Sequence, residues 1–398
     1  MSAYIYDGLR TPFGRHAGAL APIRPDDLLS GVIRALLTRG PFELGDIEDV
    51  VIGCTNQAGE DSRNVARHAA LLAGLPIEVG GVTVNRLCGS GLAAVLDAAR
   101  AVMTGQGELF VAGGVESMSR APFVLPKAEA AFSRDTQVFD TTMGARFPNP
   151  RVVARFGGDT MPETADNIAR DLGIGRAASD RFALASQQKF ATAQARGFFT
   201  GELVPVELPG RKGAVTTVTV DEHPRPETTL DKLSTLKPLA AEGVVTAGNA
   251  SGINDGAAAL LVGSICVGES VGCKPLARIV SAAVAGVPPR TMGLGPVPAA
   301  RKALERAQLA LSDMDVIEIN EAFAVQVLGC LKLLELDEDD SRVNPNGGAI
   351  AVGHPLGASG ARLALTAARQ LQVSGGRYAL VSMCIGVGQG IAAVLERV

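Results

Sequence analysis

Short apolar, β-branched runs alternate along this chain with longer stretches whose apolar residues recur every three to four positions. A brief continuous apolar run marks a buried strand and a period near 3.6 marks an amphipathic helix. Their alternation predicts an α/β protein with largely parallel strands. Tyr4 to Tyr6 reads as the first strand. Asp26 and Asp27 then cap a helix carrying Leu28, Leu29, Val32, Ile33, Leu36 and Leu37, which stops near Gly40. Next come a strand from Asp49 to Gly53, a helix from Asn64 to Ala73, a strand from Val82 to Asn85 and a helix from Gly89 to Thr104. Glu108 to Gly113 returns to the sheet.

A similar order reappears later. It runs through strand Leu276 to Ala283, helix Val297 to Ala307, strand Val316 to Ile319, helix Glu321 to Leu334 and strand Arg342 to Asn344. Helix Ser359 to Leu371 and strands Tyr378 to Met383 and Ile391 to Leu395 complete it. The wording repeats too: Leu44-Gly-Asp-Ile-Glu-Asp-Val50 resembles Leu311-Ser-Asp-Met-Asp-Val316, and Val84-Asn85 resembles Val343-Asn344. An internal duplication is therefore expected. Between the two series, Ser119 to Val245 is rich in Pro, Arg and Phe and shows one clear helix, Ser179 to Gly197. It reads as an inserted domain laid over the core. Ala257 to Val262 leads back into the first half, and the break between halves falls near Cys273. The expected organisation is an N-terminal half over 1–118, completed by about 246–272, an insertion over 119–245, and a C-terminal half over 273–398.

Composition narrows this picture. At 398 residues the chain can bury a substantial core, and two domains plus an insertion is the natural expectation. Hydrophobic residues make up 47%, aromatics only 4%, and Trp is absent, so the core must be built from Ala, Val, Leu and Ile. A net charge of −4 gives no general electrostatic reason to bind nucleic acid or an anionic membrane. Any anionic ligand must be held locally. The first ten residues carry charges and no apolar run is long enough to span a bilayer, so a soluble, cytoplasmic protein is expected. The six cysteines form no CxxC pair and no Cys/His cluster at zinc spacing, which predicts neither a metal site nor structural disulfides.

Four positions carry candidate chemistry. Cys88, in Asn85-Arg-Leu-Cys-Gly-Ser-Gly91, lies between a strand and a helix start, where unpaired amides and the dipole lower a thiol's pKa. A buried Cys in a glycine turn is the bland alternative, but Gly89 and Gly91 let a substrate approach the backbone. His354, one of four His, ends the glycine-rich stretch Gly348-Ala-Ile-Ala-Val-Gly-His354. A lone His is more often structural; beside a Cys nucleophile it is the expected base. Cys384 opens Cys384-Ile-Gly-Val-Gly-Gln-Gly390 directly after an apolar strand, and this spacing does not fit the dinucleotide fingerprint. Asn320 sits at a strand-to-helix junction, where a plain helix cap is the competing reading.

Co-occurrence at strand ends in both halves is what a shared active site would produce. Together with Arg10-Thr-Pro-Phe-Gly14, Gly113-Gly-Val-Glu-Ser-Met-Ser119, Asn249-Ala-Ser-Gly-Ile-Asn-Asp-Gly-Ala257, Asn320-Glu-Ala-Phe-Ala324, Asn344-Pro-Asn-Gly-Gly-Ala349 and Gly353-His-Pro-Leu-Gly357, these segments resemble the thiolases over essentially the whole chain. The resemblance implies the thiolase fold: two similar βαβαβ-type halves with central mixed sheets covered by helices, plus an inserted loop domain that binds coenzyme A. It implies that Cys88 is the acylated nucleophile, His354 its activator, Cys384 the acid/base, and Asn320 the holder of a catalytic water. The amides of Cys88 and Gly386 would stabilise tetrahedral intermediates. Ser251 matches a pantetheine contact, Arg225 a basic residue near the adenine nucleotide, and Met161 a residue of the acyl pocket.

The same resemblance implies no permanently bound cofactor, coenzyme A as co-substrate, and a homodimer or homotetramer. Asn56-Gln-Ala-Gly-Glu-Asp-Ser-Arg-Asn-Val-Ala-Arg67, Asp140-Thr-Thr-Met-Gly144 and Met161-Pro-Glu-Thr-Ala-Asp-Asn167 look most like the thiolases that act on 3-oxoadipyl-CoA. Acetoacetyl-CoA thiolases and broad-range fatty-acid thiolases are the alternatives. The former typically carry His-Met where this chain has Thr160-Met161. Decarboxylating ketosynthases generally have His at the position of Asn320 and lack the second Cys, and an inactive scaffold would have lost one of the four groups.

Overall fold

The computed structural model describes residues 2–210 and 214–398. Its strands are β1 (Ala3–Arg10), β2 (Ile47–Gly53), β3 (Val82–Val84), β4 (Leu109–Ser117), β5 (Asn254–Gly263), β6 (Ala277–Gly286), β7 (Val316–Ile319), β8 (Tyr378–Ile385) and β9 (Gln389–Arg397). They join in the order β7-β8-β9-β6-β1-β5-β4-β2-β3, with the short strand Gly14–Arg15 paired to β5. The principal helices are α1 (Pro25–Arg39), α2 (Val65–Ala73), α3 (Ser90–Met103), α4 (Met161–Leu172), α5 (Arg176–Ala195), α6 (Pro296–Ala307), α7 (Ala324–Leu333) and α8 (Leu356–Ser374).

One pattern of directions occurs twice. β2 is parallel to β4, β4 antiparallel to β5, and β5 antiparallel to β1; β7, β8, β9 and β6 repeat that sequence of pairings. The two sets meet where Ala3 to Ile5 pair with Ala277 to Ile279. The repeated wording at Leu44 and Leu311 forms the same structure, a 3-10 turn closed by Asp46 or Asp313 just ahead of β2 or β7. Only three of the eight pairings along the path are parallel, so the expectation of a largely parallel sheet is corrected. Strands covered by helices on both faces are apolar on both faces whatever their direction, and the pattern could not separate the two cases.

Alternation along the strands builds the layers. On β5, Ala257, Ala259 and Leu261 pack with α1 and α2, while Ala258, Leu260 and Val262 pack with α3 and α8. On β8, Ala379, Val381 and Met383 face that same central helix pair, and Leu380 faces α6 and α7. Two helix layers therefore cover the outside and a third, α3 with α8, fills the middle. The N-termini of α3 and α8 cross backbone to backbone: a Cβ on Gly91 would overlap Gly357 O, and one on Gly360 would overlap Leu92 N. This crossing brings the segments ahead of the two helices together.

Further corrections concern element ends. Asp26 and Asp27 lie in the first turn of α1, with Pro25 at its start, and do not cap it. Arg342 to Asn344 contributes a single bridge, Val343 to Ile317, in place of a strand. α7 begins at Ala324, not Glu321, because Phe323 bridges Ala250 and the Ala324 amide donates to Asn249 O at 2.8 Å. The segment 119–245 holds more than one helix. α4 starts at a capping box, Thr160 with Glu163, and carries Pro162 in its first turn.

Arg10 fastens that segment to the core. Its fully buried guanidinium donates to Glu202 at 2.6 Å and to both oxygens of Asp221 at 2.6 and 2.9 Å. The two carboxylates outweigh burial and hold the guanidinium above its ordinary value. Arg10→Met should leave buried carboxylates short of a partner, costing about 3–5 kcal/mol. Urea unfolding checks this, and a loss below about 1 kcal/mol would show that Arg10 does not hold the segment.

Candidate active site

Cys88 follows an elbow. Leu87 has φ +47°, a conformation rare outside glycine, held by its amide on Asn85 Oδ1 at 2.9 Å and by Ser90. Ser90 Oγ accepts from Arg86 N at 2.8 Å and donates to Leu87 O at 2.7 Å, and α3 starts at Ser90. The sulfur thus sits two residues ahead of the helix, in a half-buried position. Burial pushes the thiol above its ordinary value, more than the Gly386 amide and its own amide lower it. The expected lowering by helix amides is therefore outweighed: at rest Cys88 is a thiol and needs a base.

His354 comes from the other side of the helix crossing. Gly353, at φ +102°, lies so close to Asn254 that a Cβ would stand 2.6 Å from its amide, and the His354 amide donates to Asn254 Oδ1 at 2.9 Å. Ser359 Oγ donates to Pro355 O at 2.8 Å, so the 2.6 Å contact with His354 Nδ1 is one the hydroxyl accepts. The network assigns the proton to Nδ1 and leaves Nε2 as the basic atom, 3.3 Å from Asn320 Nδ2. Burial, helped by Arg362, holds the imidazole down at about 3, so it is neutral in ordinary buffer.

Asn320 directly follows β7, with its amide on Ser382 O at 3.0 Å and its buried Oδ1 without a partner among the described residues. Cys384 lies on the neighbouring strand β8, fully buried, its thiol pushed well above the ordinary value by burial and then by the proximity of Cys88 and Cys330. The hairpin after it turns through Val387 and Gly388 at φ +64° and +85°. A Cβ on Gly388 would overlap Val287 O, so the tip has no room for a side chain there. Gly386 faces Leu87 and Met161: a Cβ there would lie 3.4 Å from Leu87 Cδ1 and 3.9 Å from Met161 Sδ.

Cys88, His354, Asn320, Cys384, Gly386 and Met161 are thus linked through direct neighbours. Ser251 lies at the edge, its amide donating to Ala322 O at 2.9 Å. Arg225 is exposed and held through its backbone, its amide on Gln187 Oε1 at 2.9 Å and its carbonyl accepting from Thr228 Oγ1 at 2.7 Å; among the described residues no hydrogen bond or ion pair ties its side chain to the others. Sequence reasoning missed Ser359 and Asn254, which orient His354, and the buried carboxylates of Glu116 and Glu321. Glu116 accepts from the amides of Thr55, Asn56 and Gly357; Glu321 accepts from Ser186, Asn344 and Ile350 N. An acidic residue inside an otherwise apolar strand-end motif was the available signal.

A cavity of about 610 Å³ lined by Arg24, Glu60, Ser119 and Arg120 holds none of these groups, and Glu60 already engages both arginines. Among the described residues no cluster of three His, Cys, Asp or Glu could hold a metal ion, and no helix is long and apolar enough to cross a membrane.

Two neighbouring thiols, one with the Gly386 amide beside it, and a neutral imidazole on an adjoining segment are the equipment of an enzyme that passes acyl groups through a thioester. Residues 3–265 match the thiolase N-terminal domain and residues 273–397 the thiolase C-terminal domain, and the chain belongs to the thiolase family. It is 61% identical over 398 residues to the 3-oxoadipyl-CoA/3-oxo-5,6-dehydrosuberyl-CoA thiolase of Escherichia coli strain K12, covering 100% of this chain and 99% of the relative. Identity to a beta-ketoadipyl-CoA thiolase of Acinetobacter baylyi is 58%, again over 100% and 99%. The acetyl-CoA acetyltransferase of Bacillus anthracis has the same thiolase fold, with a TM-score of 0.93, 37% identity and coverage of 100% and 99%.

Proposed function

We propose that this chain cleaves 3-oxoadipyl-CoA with coenzyme A to succinyl-CoA and acetyl-CoA, carrying the succinyl group on Cys88. The observation that carries this reading is the neutral His354, gripped at both ring nitrogens by Asn320 and Ser359, beside the crossing where Gly91 meets Gly357 and Gly89 packs on Ile385. The choice of substrate rests on the full-length relatives named for 3-oxoadipyl-CoA and beta-ketoadipyl-CoA.

His354 Nε2 takes the Cys88 proton, and the thiolate attacks C3 of the 3-oxoacyl chain. The C2–C3 bond breaks, its electron pair passing to the enolate of acetyl-CoA, which Cys384 protonates at C2. Coenzyme A then enters as co-substrate and gives its thiol proton to Cys384. Its sulfur attacks the succinyl thioester, and Cys88 leaves as thiolate to recover its proton from His354. The amides of Cys88 and Gly386 hold the oxyanion of each tetrahedral adduct, while His354 and a water on Asn320 hold the enolate oxygen. The raised value of Cys384 suits this role, since the group must rest as an acid. Met161 lines the acyl pocket, Ser251 meets pantetheine and Arg225 the nucleotide end, with 119–245 covering the cofactor.

In a comparison of kcat/KM, 3-oxoadipyl-CoA should exceed both acetoacetyl-CoA and a long-chain 3-oxoacyl-CoA. Preference for either of the others would defeat the substrate assignment.

The oligomer belongs to the same reading. β3 ends the sheet as an open edge with Val82 at 42% exposure, and an exposed edge strand invites pairing. A two-fold dimer follows as the simplest closed arrangement. Exposed Phe123, Leu125 and Phe132 in the 119–245 segment suit further pairing into tetramers. Light scattering at micromolar concentration should return at least a dimer mass; a monomer would contradict it.

A further inference from the structure

Behind His354 lies a buried ion pair that the acyl-transfer steps leave unused. Glu318 sits two residues before Asn320 on the same face of β7, and Arg362 three residues after Ser359 on the same face of α8. Asn320 and Ser359 are the side chains that hold the two ring nitrogens of His354. Each has one member of the pair directly behind it. Glu318 Oε2 stands 3.8 Å from Arg362 Nη1, and the side chains are 0% and 3% exposed.

This pair is poorly built for stability. At 3.8 Å its atoms are beyond hydrogen-bond reach, and neither Glu318 oxygen, nor Arg362 Nε or Nη2, has a partner among the described residues. A pair engaged so loosely leaves much of the desolvation cost of both charges standing. Burial holds the Glu318 carboxyl up at about 8 and the Arg362 guanidinium below its ordinary value. Around Glu318 stand Arg362, Glu321, Lys189 of α5 and Glu202; around Arg362 stand Glu318, Arg10, Glu202 and Glu321. Of these charges, Arg362 is the one that acts on His354.

We propose that Glu318 is a positioning residue for acyl transfer: its carboxylate offsets the Arg362 guanidinium behind His354 and so sets how readily the imidazole accepts the Cys88 proton. The inference rests on the reading of His354 as base. In that step the S–H electron pair stays on Cys88 sulfur while Nε2 gains the proton. The imidazolium so formed is repelled by Arg362, and ionised Glu318 relieves the repulsion.

The test is the rate of iodoacetamide alkylation at Cys88, followed by peptide mass spectrometry across pH 6–10 in wild type, E318Q, R362M, the double variant and H354N. A unit charge at this range shifts a proton equilibrium by about one pH unit. E318Q should therefore displace the profile to higher pH, slowing alkylation by up to about tenfold above pH 8, where Glu318 is ionised, and by progressively less below it. R362M should displace it to lower pH, and the double variant should return toward wild type. A merely structural pair would move both single variants in one direction, or neither, and that result overturns the proposal. Should E318Q fail to fold, R362M decides, since only a downward displacement is compatible. H354N separates the two ideas. If it alkylates like wild type, the base reading fails; if it differs while E318Q and R362M do not, only the role of Glu318 fails.

Discussion

Cys384→Ala is expected to take an acetyl group from acetyl-CoA onto Cys88 and yet to lose exchange of the acetyl methyl protons with deuterated water. The two thiols, Cys88 half-buried and Cys384 fully buried, are neighbours but are held differently. Cys88 has the Gly386 amide and its own amide beside it, and the basic Nε2 of His354 on the far side of the helix crossing. At Cys384 burial and two neighbouring sulfurs outweigh its own backbone amide and favour the protonated form. One is therefore equipped to become a thiolate and attack, the other to hold a proton and deliver it. Removing a positioned acid costs ~10²–10⁴-fold in rate. Overall turnover falls in either variant, so the partial reactions discriminate. Cys88→Ala should never be acylated. Acetyl on Cys384 in a Cys88→Ala enzyme that still turned over would reverse the two roles.

His354→Asn should lower thiolysis by ~10²–10⁴-fold while leaving the fold intact, because Cys88 would remain a thiol. The pH dependence has a definite sign. An imidazole held at about 3 is protonated only below that value, so it stays neutral as pH falls from 8 to 5. An unperturbed His would charge near 6.5 across that range and stop acting as a base. The wild-type kcat/KM profile should thus lack an acid limb near 6.5. A limb there that disappears in Ser359→Ala would show that the imidazole titrates normally, and the assignment of Nε2 as a poised neutral base would fail.

Much of this arrangement was legible in the residues. β7 was expected at Val316 to Ile319 and lies there, because four apolar or flanked positions sit between turn signals on both sides. The local rules failed where a distant partner decides. The start of α7 depends on Asn249 and Ala250, more than seventy residues upstream, which hold Phe323 extended ahead of the helix. That delay is what leaves the Asn320 side chain at the strand end. The Arg342 to Asn344 run has strand composition but lies beyond the sheet edge and makes one bridge. The state of Cys88 was misread for a related reason: helix amides are visible in sequence order, whereas burial where its segment packs on Ile385 and Ile391 is not. Ser359 was hidden inside a glycine-rich motif whose five-residue spacing from His354 acquires meaning only once α8 is formed.

The most direct test mixes the enzyme with 3-oxoadipyl-CoA in the absence of free coenzyme A and reads the intact protein mass before peptide mapping. The account predicts one succinyl group on the Cys88 peptide, one acetyl-CoA released per site, and loss of the adduct when coenzyme A is added. Turnover with no adduct on Cys88, or an adduct confined to Cys384, would contradict it.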